Sequence, residues 1–156
     1  LSGERTPHND PHIRGSFHAI KTTTDATNMQ YAVIEGVSFG ILDGVNSILK
    51  VNDNFEKIFM VGGGSRSSFW IELLASLLNR NLSVCDQSEY GAALGVARLA
   101  MYSDKSIQNN NIIKEITTSK DYFPTSNKSD ILMKRYQIWK DLYSANKKIA
   151  SNLISK

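Results

Sequence analysis

The sequence predicts an α/β fold built on parallel strands, and three observations carry that prediction. Two short apolar runs, Lys57–Val61 and Leu82–Cys85, have strand length, and each is followed by a helical pattern. A glycine run, Gly62-Gly63-Gly64, breaks the chain between the first strand and its helix. Strands that alternate with helices are parallel neighbours in a sheet, because the helix carries the chain back to the starting edge. The 156 residues, 41% hydrophobic and 21% charged, suit one folded domain spanning 1–156.

Residues 1–25 read as an ordered loop. Pro7, Asn9-Asp10-Pro11 and Gly15 punctuate it, and all three histidines lie in it. A short strand is expected near Phe17–Ile20. A long helix is expected from Ala26 to Val51, because Met29, Val33, Val37, Ile41, Val45 and Ile48 recur every three or four residues. Gly36, Gly40 and Gly44 form a second stripe. Each costs roughly 1 kcal/mol of helix propensity against alanine, so close packing against that face is expected.

After the strand at 57–61, a helix is expected from Ser67 to Asn79 with Trp70, Leu73, Leu74, Leu77 and Leu78 inward. The strand Leu82–Cys85 follows, then a helix from Tyr90 to Tyr102 with a small face of Ala93, Val96, Ala97 and Ala100. Residues 26–102 thus form the core, 103–127 a linker loop that is polar and asparagine-rich from Ser103 to Asn111, and 128–156 a terminal helix. In that helix Leu132, Tyr136, Trp139 and Tyr143 share one side. Two strands cannot cover helices of this length, so further strands or a partner are expected. The chain opens on Leu1 without methionine, which suits a processed product or part of a longer protein.

Charge and cysteine content exclude several functions. The formal net charge is +3, and it concentrates in residues 128–156, which carry seven Lys/Arg against two Asp. That reads as the solvated face of one helix, and no nucleic-acid partner is expected. The single Cys85 excludes a disulfide framework and a cysteine-ligated zinc site, and it suits a reducing, cytoplasmic setting. No apolar run approaches the ~20 residues that span a bilayer, so no membrane partner is expected. His8, His12 and His18 fit no common zinc spacing and read as solvated loop residues, so no metal site is expected. No nucleophile–base pair or carboxylate pair stands out, so no catalytic residue is assigned within the chain.

The strand–Gly-Gly-Gly-Ser–helix unit is the sharpest chemical feature. Glycines let a ligand approach the backbone, and the next helix offers free N–H groups at its positive end. Ser65, Ser67 and Ser68 are placed to cap that helix or to donate to ribose or phosphate. The same residues also suit a plain tight turn with a serine cap. Ser67 stands where a dinucleotide fingerprint has its third glycine, and the phosphate-loop lysine is missing. Glu89-Tyr90-Gly91 opens another small-residue helix, which suits either a cleft wall or tight packing.

Several stretches resemble one family. Leu1-Ser2-Gly3-Glu4-Arg5-Thr6-Pro7-His8-Asn9-Asp10-Pro11, Arg14-Gly15-x-Phe17 and Glu35-Gly36-Val37-x-Phe39 are similar to motifs of the FGGY carbohydrate kinases. Gly62-Gly63-Gly64-Ser65-Arg66-Ser67-x-x-Trp70 and Gly91-Ala92-Ala93-Leu94-Gly95-x-Ala97-Arg98-Leu99-Ala100 continue the match in order. Ser-Gly-Glu-Arg-Thr-Pro points to the xylulokinase branch.

The resemblance implies a ribonuclease-H-like domain of the actin/hexokinase/Hsp70 ATPase type, with this chain as the C-terminal part of the second FGGY domain. It implies MgATP (ATP and Mg2+) as cofactor, D-xylulose as sugar, an N-terminal kinase domain as partner, and a catalytic aspartate outside these residues. Gly62, Gly63, Gly64, Ser65, Ser67 and Gly91 would border the adenosine. Alone, the chain is expected to turn over nothing and to bind nucleotide weakly. Other kinases of the family, acting on ribulose, gluconate or glycerol, and a non-enzymatic nucleotide-binding module are the alternatives. Association into a homodimer is left open.

Overall fold

The computed structural model describes residues 3–51, 57–104 and 116–154. Where the sequence suggested one domain, the chain divides into two compact units: Leu1–Asn54 with Ser126–Lys156, and Phe55–Thr125.

In the first unit, helix α1 runs Ala26–Leu49 and helix α4 runs Ser126–Ile154. The α1 start is set by Asp25, whose carboxylate accepts from the Asn28 N–H at 2.7 Å. Its buried residues are Glu35, Ser38, Phe39 and Leu42, spaced as one helical face. Against them α4 sets the buried Leu132 and Tyr136, together with Trp139. Phe39 lies 5.7 Å from the Tyr136 ring and 5.8 Å from the Trp139 ring, in tilted pairs. Such pairs add about 0.5–1.5 kcal/mol each beyond their buried area. Arg135 pairs with the buried Glu35 at 3.0 Å. Burial pushes the Glu35 carboxyl up, and Arg135 pulls it back.

Four expectations are corrected here. Val33, Val37, Ile41 and Ile48 are exposed, so the anticipated apolar stripe is not the face that α4 covers. Periodicity identifies a helix and its stripes, but it does not say which stripe a neighbour takes. Gly36 and Gly44 make only ordinary contact, with an added Cβ falling 3.8 Å from Trp139 and 3.7 Å from Thr6, and Gly40 meets nothing within 4 Å. No strand forms at Phe17–Ile20, where both named residues are exposed. Against the expectation of no such run, helix α1 is long and apolar enough to cross a membrane, by length and composition. Its Glu35 and Asp43 carboxylates, however, are bonded to Arg135 and Tyr136 of α4.

The Tyr136 hydroxyl donates to Asp43 Oδ1 and accepts from Asn46 Nδ2 at 3.2 Å. Burial, and then the bond to Asp43, push its pKa up to about 12. A raised folded-state pKa means that the neutral phenol stabilises the fold. That stability is complete below the ordinary tyrosine value of about 10 and is lost as pH climbs toward 12. Tyr136→Phe should cost about 1–2 kcal/mol at neutral pH. The gap between variant and parent should close over that alkaline window, as read from urea midpoints. A gap that stays constant would dismiss this coupling.

The second unit holds β1 (Ile58–Met60), α2 (Ser68–Leu78), β2 (Leu82–Cys85), α3 (Gly91–Ser103) and β3 (Thr118–Tyr122). Sheet order is β1-β2-β3, with β1 parallel to β2 (Ile58 opposite Leu82) and β3 antiparallel to β2 (Tyr122 opposite Leu82). The core joins Ile71, Leu74 and Ala75 of α2 to Leu82, Val84 and Tyr122 of the sheet. Asn79 ends α2 in the left-handed conformation at φ 50°, as a short polar side chain tolerates.

Strand β3 falls inside the stretch read as a linker loop at 103–127. Four of its five residues are exposed, so it carries little of the apolar alternation that marks a strand. The anticipated small face of α3 (Ala93, Val96, Ala97 and Ala100) is likewise exposed. The loop expected at Ser103–Asn111 lies mostly outside the described residues: Ser103 closes α3, and only Asp104 follows.

Candidate functional site

Chain direction changes sharply where β1 ends. Gly62 takes φ 83° and ψ −172°, a backbone state open essentially to glycine alone. Its N–H donates to Ser88 O at 2.6 Å. A 3-10 turn, Gly63–Arg66, then leads to Ser67, which caps α2 by accepting from the Trp70 N–H at 3.3 Å. The short turn Ser88–Tyr90, just before α3, braces this loop from the other side. Arg66 and Glu89 close the bracing with an ion pair at 2.7 Å.

The structure brings Gly62, Gly63, Gly64, Ser65 and Gly91 together and divides their tasks. Nothing lies within 4 Å of an added Cβ at Gly62 or Gly63, so the backbone there is bare and open. Gly64 is different: its missing side chain is filled by the Trp70 ring, which an added Cβ would meet at 2.5 Å. Gly91 packs on the end of β1, with an added Cβ 3.3 Å from Val61 Cβ. Ser65 is buried, and its hydroxyl donates to Gly62 O at 2.7 Å beside the Ser88 hydroxyl, also at 2.7 Å. It holds the loop and is not poised to meet a ligand. Ser67 is exposed, with its oxygen engaged as the cap. Ser68 bonds the Tyr122 hydroxyl at 2.9 Å, which ties α2 to β3.

Chemically, this is a neutral, lysine-free platform. Helix α2 begins beside it with its positive dipole end, and the open glycines at Gly62 and Gly63 leave space for a flat ring against the backbone. Those features fit the adenosine end of a nucleotide. The bracing Ser65–Ser88 contact was not legible in the sequence, because it joins residues 23 positions apart.

The other candidate residues sit elsewhere. Cys85 ends β2 half-buried, its thiol pushed up by burial and then by Asp86. His12 and His18 are exposed loop residues, as expected, with His18 bonded to Ser16 at 2.8 Å. His8 is exposed as well, and its ring stacks on Tyr143 with centroids 3.6 Å apart. An open cavity of about 610 Å3 is lined by residues of the first unit, among them His8, Asp43, Tyr136 and Trp139.

Residues 1–103 match the FGGY family of carbohydrate kinases, C-terminal domain. A protein named xylulose kinase from Staphylococcus epidermidis is 29% identical over 99% of this chain and 32% of its own length. One of the same name from Escherichia coli is 29% identical over 92% of the chain and 30% of its own. The chain thus spans about a third of the length of these relatives. Among solved structures, a "xyloylose kinase" from Brucella ovis superposes with a TM-score of 0.80 at 33% identity, covering 96% of this chain and 31% of that one. A ligand-bound xylulose kinase from Lactobacillus acidophilus gives 0.73 at 28%, over 93% and 30%.

Proposed function

Because the chain belongs to the FGGY family of carbohydrate kinases, as its C-terminal domain, we propose that it forms the adenosine-binding part of a kinase converting D-xylulose and ATP to D-xylulose 5-phosphate. The observation that carries the nucleotide half is the open backbone at Gly62–Gly63, between the end of β1 and the start of α2. The sugar is supported by relatives named xylulose kinase that align along nearly the whole chain.

Phosphoryl transfer is governed by positioning and by neutralising phosphate charge, which Mg2+ supplies when it accompanies ATP. In this reading the residues here serve only the first need. Gly62 and Gly63 receive the base and ribose, Ser65 and Gly91 keep the loop in shape, and Ser67 fixes the start of α2. The catalytic base, the sugar contacts and the N-terminal kinase domain lie in the rest of the enzyme, which we place in the cytoplasm. Gluconate is the second reading for the sugar, because a gluconate kinase from Lactobacillus acidophilus superposes with a TM-score of 0.73 at 27% identity.

Calorimetry with ADP and a panel of sugars tests both halves. The chain should bind ADP weakly and phosphorylate nothing, whereas the complete enzyme should prefer D-xylulose over D-gluconate. Steady turnover by the 156-residue chain, or a preference for gluconate, would sink the corresponding half.

A further inference from the structure

We propose that Glu4, His8 and Asp43 form a binding site for one divalent transition-metal ion, with Zn2+ as its probe. The inference stands independently of the kinase reading, since every residue in it belongs to the first unit. It begins with spacing. His8 Nε2 lies 3.9 Å from Glu4 Oε1 and 3.8 Å from Asp43 Oδ2, and the three atoms are all within 4.8 Å of one another. These separations are too long for hydrogen bonds. They leave room for an ion, and because bonds of about 2.0–2.2 Å space tetrahedral ligands by roughly 3.4 Å, the three side chains would close inward on binding it.

A second observation concerns partners. Glu4 Oε1 is buried from solvent and accepts no hydrogen bond. A dry carboxylate oxygen without a donor is costly, and a cation at the centre of the three atoms would relieve it. The remaining atoms are already committed. Asp43 Oδ1 is taken by the Tyr136 hydroxyl, which leaves Oδ2 facing His8.

The ligands are also held in place. His8 is stacked on Tyr143 at 10° between ring planes, and Tyr143 donates to Asp10 Oδ2 at 3.1 Å. Glu4 and His8 share one closed loop, with Glu4 N donating to Asp10 O at 2.8 Å and Asn9 N to Arg5 O at 2.7 Å. The stacked Tyr143 ring fixes the His8 plane, and the Tyr136 hydroxyl on Oδ1 orients the Asp43 carboxylate. The cavity beside His8 and Asp43 gives water a route to a fourth position. One imidazole and two carboxylates suit Zn2+ or Mn2+ better than Mg2+, which favours an all-oxygen shell.

The test uses tag-free protein stripped with a chelator and titrated calorimetrically with Zn2+, then Mn2+ and Mg2+. One equivalent of Zn2+ should bind and should raise the unfolding temperature. His8→Ala and Glu4→Gln should each weaken binding at least about tenfold, and Tyr136→Phe by about tenfold. His18→Ala should change nothing. Glu4→Gln preserves shape, and circular dichroism of each variant separates lost ligation from lost folding. Folded parent protein that binds no stoichiometric Zn2+ would overturn the site. So would Zn2+ binding that survives unchanged in folded Glu4→Gln, since the ion would then sit on surface groups.

Discussion

Gly63→Ala should leave stability within about 0.5 kcal/mol of the parent while weakening ADP binding at least tenfold, and Gly64→Ala should do the reverse in order of severity. At Gly63 the added methyl meets nothing within 4 Å, so the fold has no reason to object. That same open space is where the proposed adenosine rests, and a methyl there would hold the ring off the backbone. At Gly64 the methyl would sit 2.5 Å from the Trp70 ring, a rigid plane packed against the core. Overpacking of this kind costs about 1–3 kcal/mol, and the ring has no flexible end to swing aside. Urea unfolding and ADP calorimetry on both variants make the comparison. Undiminished ADP binding in folded Gly63→Ala would remove the nucleotide from this loop.

The second large effect is expected at Leu82. Its side chain is fully buried, and its strand is the middle one, pairing Ile58 on one side and Tyr122 on the other. Leu82→Ala removes apolar atoms from the point where the sheet meets Ile71 and Leu74 of α2. Such truncations cost about 2–5 kcal/mol, depending on how far the surroundings collapse. Domains commonly have only about 5–15 kcal/mol in total, so a large part of this unit's stability rests on one residue. Amide exchange should accelerate together in β1, β2 and β3, with the urea midpoint falling accordingly. A loss below about 1 kcal/mol would show that the core repacks around the gap.

Much of this was legible in the residues. Leu82–Cys85 was located as a strand, and the strand–glycine–helix unit at 57–79 was found from run length and turn chemistry, because those signals are local. The capping role of Ser67 was legible for the same reason, since a cap bonds only three residues ahead. What escaped was set by distant partners. Strand β3 is polar, and only its pairing with β2 makes it a strand. The covered face of α1 depends on where the α4 aromatics fall. The Trp70 ring beside Gly64 and the Tyr143 ring stacked on the exposed His8 are likewise set by packing partners that spacing does not name.

The placement of the indole rings has a practical consequence. The chain has two tryptophans, and each unit owns one: Trp139 against Phe39 and Tyr136, Trp70 against Gly64 at the glycine loop. Emission from a Trp139→Phe protein would report the glycine loop alone, and emission from Trp70→Phe the paired helices alone. Fluorescence could then follow the two halves as separate thermodynamic bodies in a single cuvette, without any attached dye.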